Sequence, residues 1–374
     1  RAPSRVPSVL PRSSGAAESH RRRPAHTDAH RASKSMVIAR RITFTDRQTA
    51  TIEPFDFDPT PSHENELVFE TLVSAISSGT ELASYTNDQD IGHWQGEPYP
   101  VHPGYASVGR VIAMGDAVEG WEVGDVSFVQ RGHASHHRTD ARDLLIKAPA
   151  AVPPEDAVYV RFCAVSMTTL VTTVARPGDG VAVFGLGIVG STASQVFQAS
   201  GYEVVAFDPV QERRSVVEAC GVRHTAAPGA DISAAWRNCV GDTPCRLVLD
   251  TSGSAAAVQS AVELADIGAE IALIGVHWKS DPTRPMAALL QPVFTKYLTI
   301  RSGWEHRLPT HHTAHTPGNK TSVMRHAMNL LERGQVNVGP LRSHLLPPED
   351  AQEAYQGLLN HRDDYCSVVF DWRA

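Results

Sequence analysis

The run Gly185-Leu186-Gly187-Ile188-Val189-Gly190 has the spacing of a turn that brings bare backbone against an anion. Gly185 permits the tight turn, Gly187 lets the main chain approach a diphosphate, and Gly190 leaves room for helix and strand to pack. The N-terminus of a helix that follows such a turn offers unpaired N–H groups to phosphate oxygens. Asp208 stands 18 residues after Gly190, where a second strand ends and a carboxylate can accept both hydroxyls of an adenosine ribose. These residues suit a redox dinucleotide. NAD is expected over NADP, because a 2′-phosphate beside Asp208 brings like charges together, a penalty that Arg213 and Arg214 soften.

The loop needs a strand before it and a helix after it. Apolar strands at 181–184, 204–207, 247–249 and 271–274 alternate with helices opened by Ser191, Gln211 and Ser254, a pattern that predicts a parallel sheet covered on both faces. Thr251 and the pair Gly275-Val276 then end strands at the carboxyl edge, where the ligand crosses, and Thr168 falls on a helix facing the nicotinamide. That helix spans 153–174 and begins with proline and acids. Before it, 36–150 is made of short apolar runs broken by Gly, Pro and Asp, the pattern of a β-rich domain. A polar loop at 311–317, a helix at 322–333 and a strand at 367–370 follow, and no internal repeat is present.

The chain has 374 residues, enough for two cores and a cleft between them. Residues 1–35 hold eight Arg or Lys, two acids and little that could enter a core, and read as a disordered leader. An organellar transit peptide is the weaker alternative, since no amphipathic apolar face accompanies the basic residues. From Met36 onward, 26 basic and 39 acidic side chains remain, a charge of about −13, which argues against nucleic acid as a partner. No apolar run reaches the roughly 18 residues of a membrane span, so a soluble, cytoplasmic protein is expected. Five cysteines without a Cys-x-x-Cys pair read as reduced, buried thiols.

The order of the domains, together with Ile76-Ser77-Ser78-Gly79-Thr80-Glu81, His102-Pro103-Gly104-Tyr105-Ala106-Ser107-Val108-Gly109, Val123-Gly124-Asp125-Val126 and the Gly185 loop, resembles the medium-chain dehydrogenase/reductase superfamily. The likeness runs from Met36 to Trp372. It implies an α/β protein: a GroES-like β-rich catalytic domain at 36–155, completed by 310–374, and a Rossmann doubly wound parallel-sheet domain at 156–309. It also implies a homodimer formed through an edge of the dinucleotide domain. Ser-Gly-Thr-Glu with Pro-Gly-Tyr is most similar to the branch containing bacteriochlorophyllide a dehydrogenase, a likeness of short motifs that does not carry the substrate over.

In the zinc alcohol dehydrogenases the first two motifs carry metal ligands, and here Ser78, Tyr105 and Ala106 occupy those places. A third ligand aligns near Ala164, with Cys163 one residue away. The four-cysteine structural zinc lobe is missing as well, so no zinc is expected. A site built from His133, His136, His137 and Cys163 is the weaker alternative; His136 and His137 read as a solvated strand edge or loop.

Without metal, the charge that forms on a ketone oxygen needs a positioned hydroxyl. Thr80, which matches the superfamily's relay hydroxyl, and Tyr105, the stronger acid, are the candidates, with Ser78 beside them. Ala83 stands where the family has its relay histidine, and His133 is the candidate to replace it. The resemblance also implies that Asp208 and Arg213 hold the adenosine ribose. The reading is an NAD-linked oxidoreductase interconverting a secondary alcohol and a ketone. The alternatives are an NADPH-dependent enoyl or quinone reductase and a dinucleotide-binding protein without turnover. Trp94, Trp278 and Trp304 are candidates for a wall against a ring-shaped substrate.

Overall fold

A computed structural model describes residues 36–88 and 98–374. The expectations for the leader and for Trp94 lie outside the described residues.

Six strands form an all-parallel sheet in the order Thr225–Ala226, Glu203–Phe207, Gly180–Phe184, Cys245–Asp250, Glu270–Leu273 and Thr299–Ser302. Chain direction across the sheet reverses between Gly180–Phe184 and Cys245–Asp250, so the crevice for a ligand opens beyond their carboxyl ends. Gly180–Phe184 is buried along its whole length, as a strand covered on both faces must be. Helices Ile188–Ala199, Gln211–Ala219, Ile232–Val240 and Ala255–Leu264 supply the cover.

A second sheet runs His344–Leu346, Val368–Asp371, Glu66–Ala75, Ser107–Met114, Val126–Val129 and Leu145–Lys147, with His136–Asp140 also paired to Glu66–Ala75. Its last-made strand, Val368–Asp371, is antiparallel to Glu66–Ala75. Val37–Asp46 and Thr49–Phe57 form a separate antiparallel hairpin. Helix Val160–Thr172 packs against both Ile188–Ala199 and Lys320–Glu332. One apolar cluster, including Val73, Phe128, Phe162, Met167, Ile188, Val196 and Met324, passes through it from the second sheet to helix Ile188–Ala199, which covers the first. This helix therefore sets the spacing between the two halves of the site.

Several elements depart from the sequence reading. The helix expected to open at Ser191 begins at Ile188, because Gly187 is its N-cap and the glycine loop is already its first turn. The helix expected over 153–174 is broken into Pro154–Ala157 and Val160–Thr172. Helix Ser78–Thr86 interrupts the β-rich region; its opening Ser-Gly-Thr has low helix propensity, and tertiary contacts made by Glu81 hold it instead. Among the described residues no helix is long and apolar enough to cross a membrane.

Candidate active site

The glycine loop is held by contacts that leave one face free. A Cβ on Gly190 would lie 1.8 Å from the Gly185 carbonyl oxygen and 2.6 Å from Thr251 Oγ1, so only glycine lets this helix sit against the strand end. Gly185 has φ +89°, a left-handed conformation that glycine adopts without strain. A Cβ on Gly187 would meet nothing within 4 Å. That open side, with the helix N-terminus behind it, is a cradle for a pyrophosphate.

Strand ends close the loop from the other side. Thr251 Oγ1 donates to the carbonyls of Gly185, at 2.7 Å, and Phe184, at 3.0 Å. Asp250 is fully buried; its Oδ1 accepts from the Ser252 hydroxyl and N–H at 2.6 and 3.0 Å, and Oδ2 lies 3.4 Å from His277 Nε2. Burial pushes its carboxyl above the ordinary value. The N–H of Gly275 donates to the Asp250 carbonyl at 2.8 Å, and Val276 beyond it is exposed.

Asp208 lies at the end of the second strand and is only 3% exposed. Its Oδ2 accepts the Leu186 N–H at 2.7 Å and its Oδ1 the Val210 N–H at 2.9 Å. The carboxylate therefore fixes the glycine loop as well as standing where a ribose would lie. Arg213 Nη1 is 3.8 Å from Oδ2, and Arg214 donates to the Asp208 carbonyl at 2.5 Å. The residues fit a nicotinamide dinucleotide at its phosphates and adenosine end.

On the other wall, helix Ser78–Thr86 and the Tyr105 segment meet. The Tyr105 hydroxyl forms a short hydrogen bond with Ser77 Oγ and a longer one, 3.4 Å, to Thr80 Oγ1. Ser78 opens the helix beside them and Thr80 is exposed. The guanidinium of Arg161 lies 4.8 Å from the centroid of the Tyr105 ring and is paired with Glu305. Burial raises the Tyr105 phenol above its usual value; the Arg161 charge and the hydrogen bonds with Ser77 and Thr80 oppose that rise, while Glu81 adds to it. Trp278 reaches across and donates from its indole to the Gly79 carbonyl at 3.1 Å, and Lys279 pairs with Asp88 at 2.7 Å. Trp304 is exposed, edge-on to His306.

Sequence reasoning joined Tyr105, Thr80 and His133, and the structure brings only the first two together. His133 Nε2 is 3.0 Å from Glu81 Oε2, and Nδ1 is 2.7 Å from Ser74 Oγ, which itself accepts from Trp372 Nε1 at 2.9 Å. A proton path from Tyr105 to His133 would have to pass Ser77 and Glu81. Glu81, which motif reading left without a role, is the centre of this cluster. Its Oε1 accepts the Ser77 N–H at 2.7 Å, and its Oε2 accepts the Tyr355 hydroxyl at 2.5 Å besides facing His133. Glu81→Ala is expected to destabilise the fold by about 3 kcal/mol, because it leaves buried donors unpaired. A thermal melt showing no change would refute that role.

The metal-ligand positions hold a hydroxyl at Ser78, a phenol at Tyr105 and a methyl at Ala164, none of them a thiolate, imidazole or carboxylate. Among the described residues no three His, Cys, Asp or Glu side chains gather where an ion could bind. Cys163 is fully buried, and burial pushes its thiol up to about 12. His137, expected at a solvated edge, is buried in strand His136–Asp140, where burial pushes its imidazole down to about 3. His136 lies against the Phe57 ring. This donor set does not fit zinc.

Arg161, Glu305, Ser77 and Glu81 stand at the candidate site, and no motif in the sequence gives them a place there. Thr168 is buried on the same helix as Arg161, its Oγ1 without a partner among the described residues.

Residues 189–311 match a family described as zinc-binding dehydrogenase. An alcohol dehydrogenase of Geobacillus stearothermophilus is 29% identical over 221 residues, 50% of this chain and 64% of that protein's length. Sorbitol dehydrogenase 1 of Saccharomyces cerevisiae is 24% identical, the match covering 72% of this chain and 81% of that one. The structure of 2R,3R-butanediol dehydrogenase from Bacillus subtilis superposes with a TM-score of 0.70 at 18% identity, covering 89% of this chain and 99% of that one.

Proposed function

We propose, from the premise that this chain belongs to the medium-chain dehydrogenase/reductase superfamily with the alcohol dehydrogenases, that it interconverts a secondary alcohol and a ketone with NAD(H) and without catalytic zinc. The observation that carries this reading is the Tyr105 hydroxyl, bonded to Ser77 and Thr80 at a place where relatives that use metal need a ligand. NAD(H), when bound, supplies the hydride donor or acceptor.

The chain's own residues do the rest. The Gly187 face and the helix behind it bind the diphosphate, and Thr251 holds the loop in shape. Tyr105 Oη gives a proton to the oxygen that gains negative charge as the ketone is reduced, and takes one back in the oxidative direction. Thr80 and Ser77 orient that hydroxyl. Asp208 accepts from the ribose, and its charge selects against a 2′-phosphate. The homodimer belongs to the same proposal: edge strand Thr299–Ser302 lies beside exposed Ile267, Phe294 and Tyr297, an apolar face that a second copy would cover.

The test is titration with NADH and NADPH, read by protein fluorescence, with metal analysis of the active protein. Tighter NADH binding and activity without stoichiometric metal are expected; activity that follows zinc content would sink the mechanism. Asp208→Asn removes the charge and keeps one oxygen acceptor, so one of the Leu186 and Val210 N–H groups loses its bond, a loss that NADH and NADPH binding share. It is expected to move the NADH-to-NADPH affinity ratio towards NADPH about tenfold, roughly 1.4 kcal/mol. An unchanged ratio would mean that Asp208 does not select the cofactor.

A further inference from the structure

We infer that Arg161, paired with Glu305, is the fixed positive charge of the hydride-transfer site and acts on the reaction through Tyr105. The inference rests on the reading of Tyr105 as the proton donor and adds to it the group that makes the donor's conjugate base tolerable.

Arg161 lies in helix Val160–Thr172 and is only 7% exposed. Removing a guanidinium from water is unfavourable unless carboxylates and hydrogen bonds replace the lost hydration. Arg161 has one carboxylate, that of Glu305 from the turn Glu305–Arg307, and the face of the Tyr105 ring. Among the described residues its Nε has no hydrogen-bond partner. Arg161, Ala164 and Thr168 follow one another on one helix face, at i, i+3 and i+7. All three line a cavity of about 10 Å³ with Gln130 and Lys320, room for roughly one water molecule. The buried Oγ1 of Thr168 is also unpartnered among the described residues. Among the described residues, two with an unpartnered buried polar atom thus line one small void, and the guanidinium of the first lies over the Tyr105 ring.

The chemistry needs such a charge. When hydride from the reduced nicotinamide adds to a ketone carbon, the C=O π pair moves to oxygen. The Tyr105 O–H bond then breaks, a new O–H bond forms on the alcohol, and a phenolate remains on Tyr105. In the oxidative direction the phenolate recovers that proton as hydride leaves for the oxidised nicotinamide. Burial works against the phenolate, as does Glu81 from helix Ser78–Thr86. His133 lies beyond Gly104, bonded to Glu81 and Ser74. Of the two charged groups that act on the phenol among the described residues, Glu81 and Arg161, it is Arg161 whose sign favours phenolate. It is a positioning residue in this sense: it touches Tyr105, and Tyr105 touches the reacting oxygen.

Arg161→Gln tests the assignment. Phenolate formation is read as the rise in absorbance near 295 nm, taken as the difference between each protein and its Tyr105→Phe counterpart. Removal of the cation is expected to move the Tyr105 titration upward by about one pH unit, a factor of ten in the phenol–phenolate equilibrium. The kcat should fall about tenfold with NADH affinity unchanged, and Arg161→Lys should recover part of both. If Arg161→Gln does not fold, because Glu305 is left buried and unpaired, the double variant Arg161→Gln/Glu305→Gln removes both charges and carries the same measurement. An unchanged titration together with an unchanged kcat overturns the inference. Tyr105→Phe separates this failure from that of the underlying reading: a fully active Tyr105→Phe sinks the donor itself, whereas a slow Tyr105→Phe beside a normal Arg161→Gln sinks only the role of Arg161.

Discussion

Gly190→Ala is expected to weaken NADH binding by at least a hundredfold, about 2.7 kcal/mol, and to lower the melting temperature as well. The added methyl would sit 1.8 Å from one backbone oxygen and 2.6 Å from the hydroxyl that fixes the loop. Neither can yield without moving the helix off the strand, and overpacking of this kind costs typically 1–3 kcal/mol in cores that can adjust. The neighbouring change provides the contrast. Gly187→Ala meets nothing within 4 Å among the described residues, so its stability should fall only by the cost of an alanine N-cap, about 1 kcal/mol or less, while its affinity for NADH falls further, because the methyl occupies the space a pyrophosphate needs. Titration and melting of the two variants side by side decide the matter. If Gly190→Ala binds NADH normally, the close packing of helix and strand is not what shapes the site.

Tyr105→Phe is expected to reduce kcat by about 10²–10⁴-fold, the usual contribution of a general acid, with NADH affinity intact. The phenyl ring keeps its place under Arg161, 4.8 Å from the guanidinium, so the fold should tolerate the change. Thr80→Val should cost less, since its hydrogen bond to the phenol is 3.4 Å long. Steady-state kinetics with a reactive secondary alcohol or its ketone give both values, and retention of full activity by Tyr105→Phe would assign proton transfer elsewhere.

What the sequence made legible follows from the range of the interactions concerned. The glycine loop, its strand and Asp208 lie within one supersecondary unit, so short-range spacing predicts them, and Leu186 does meet Asp208. Motif position marks Tyr105 and Thr80 as separate candidates, and the structure shows them hydrogen-bonded across 25 residues. Arg161 and Glu305 are 144 residues apart, and no local pattern marks either as half of a buried ion pair. Glu81 is a similar case: its partners Tyr355, His133 and Ser77 come from three parts of the chain. His133 was given a relay role because it is a histidine near the site. The structure encloses it between Glu81 and Ser74, a difference that only the folded neighbours could reveal. The start of the glycine-loop helix was displaced for a simpler reason: a serine looks like a cap, and here Gly187 caps while the Ser191 hydroxyl turns back to the Leu186 carbonyl.

The antiparallel pairing of Val368–Asp371 with Glu66–Ala75 also bears on the order in which the protein can mature during synthesis. The parallel sheet draws all its strands from 180–302, so it can assemble while the remaining chain is still being translated. The other sheet cannot: an inner strand arrives roughly 300 residues after its neighbour, and such non-local pairing forms late. Trp372, just past that strand, donates to the same Ser74 that faces His133. The nascent protein should therefore acquire its nucleotide fold first and its hydroxyl wall last. A ribosome-bound intermediate stalled before Val368 should bind NADH yet show no turnover.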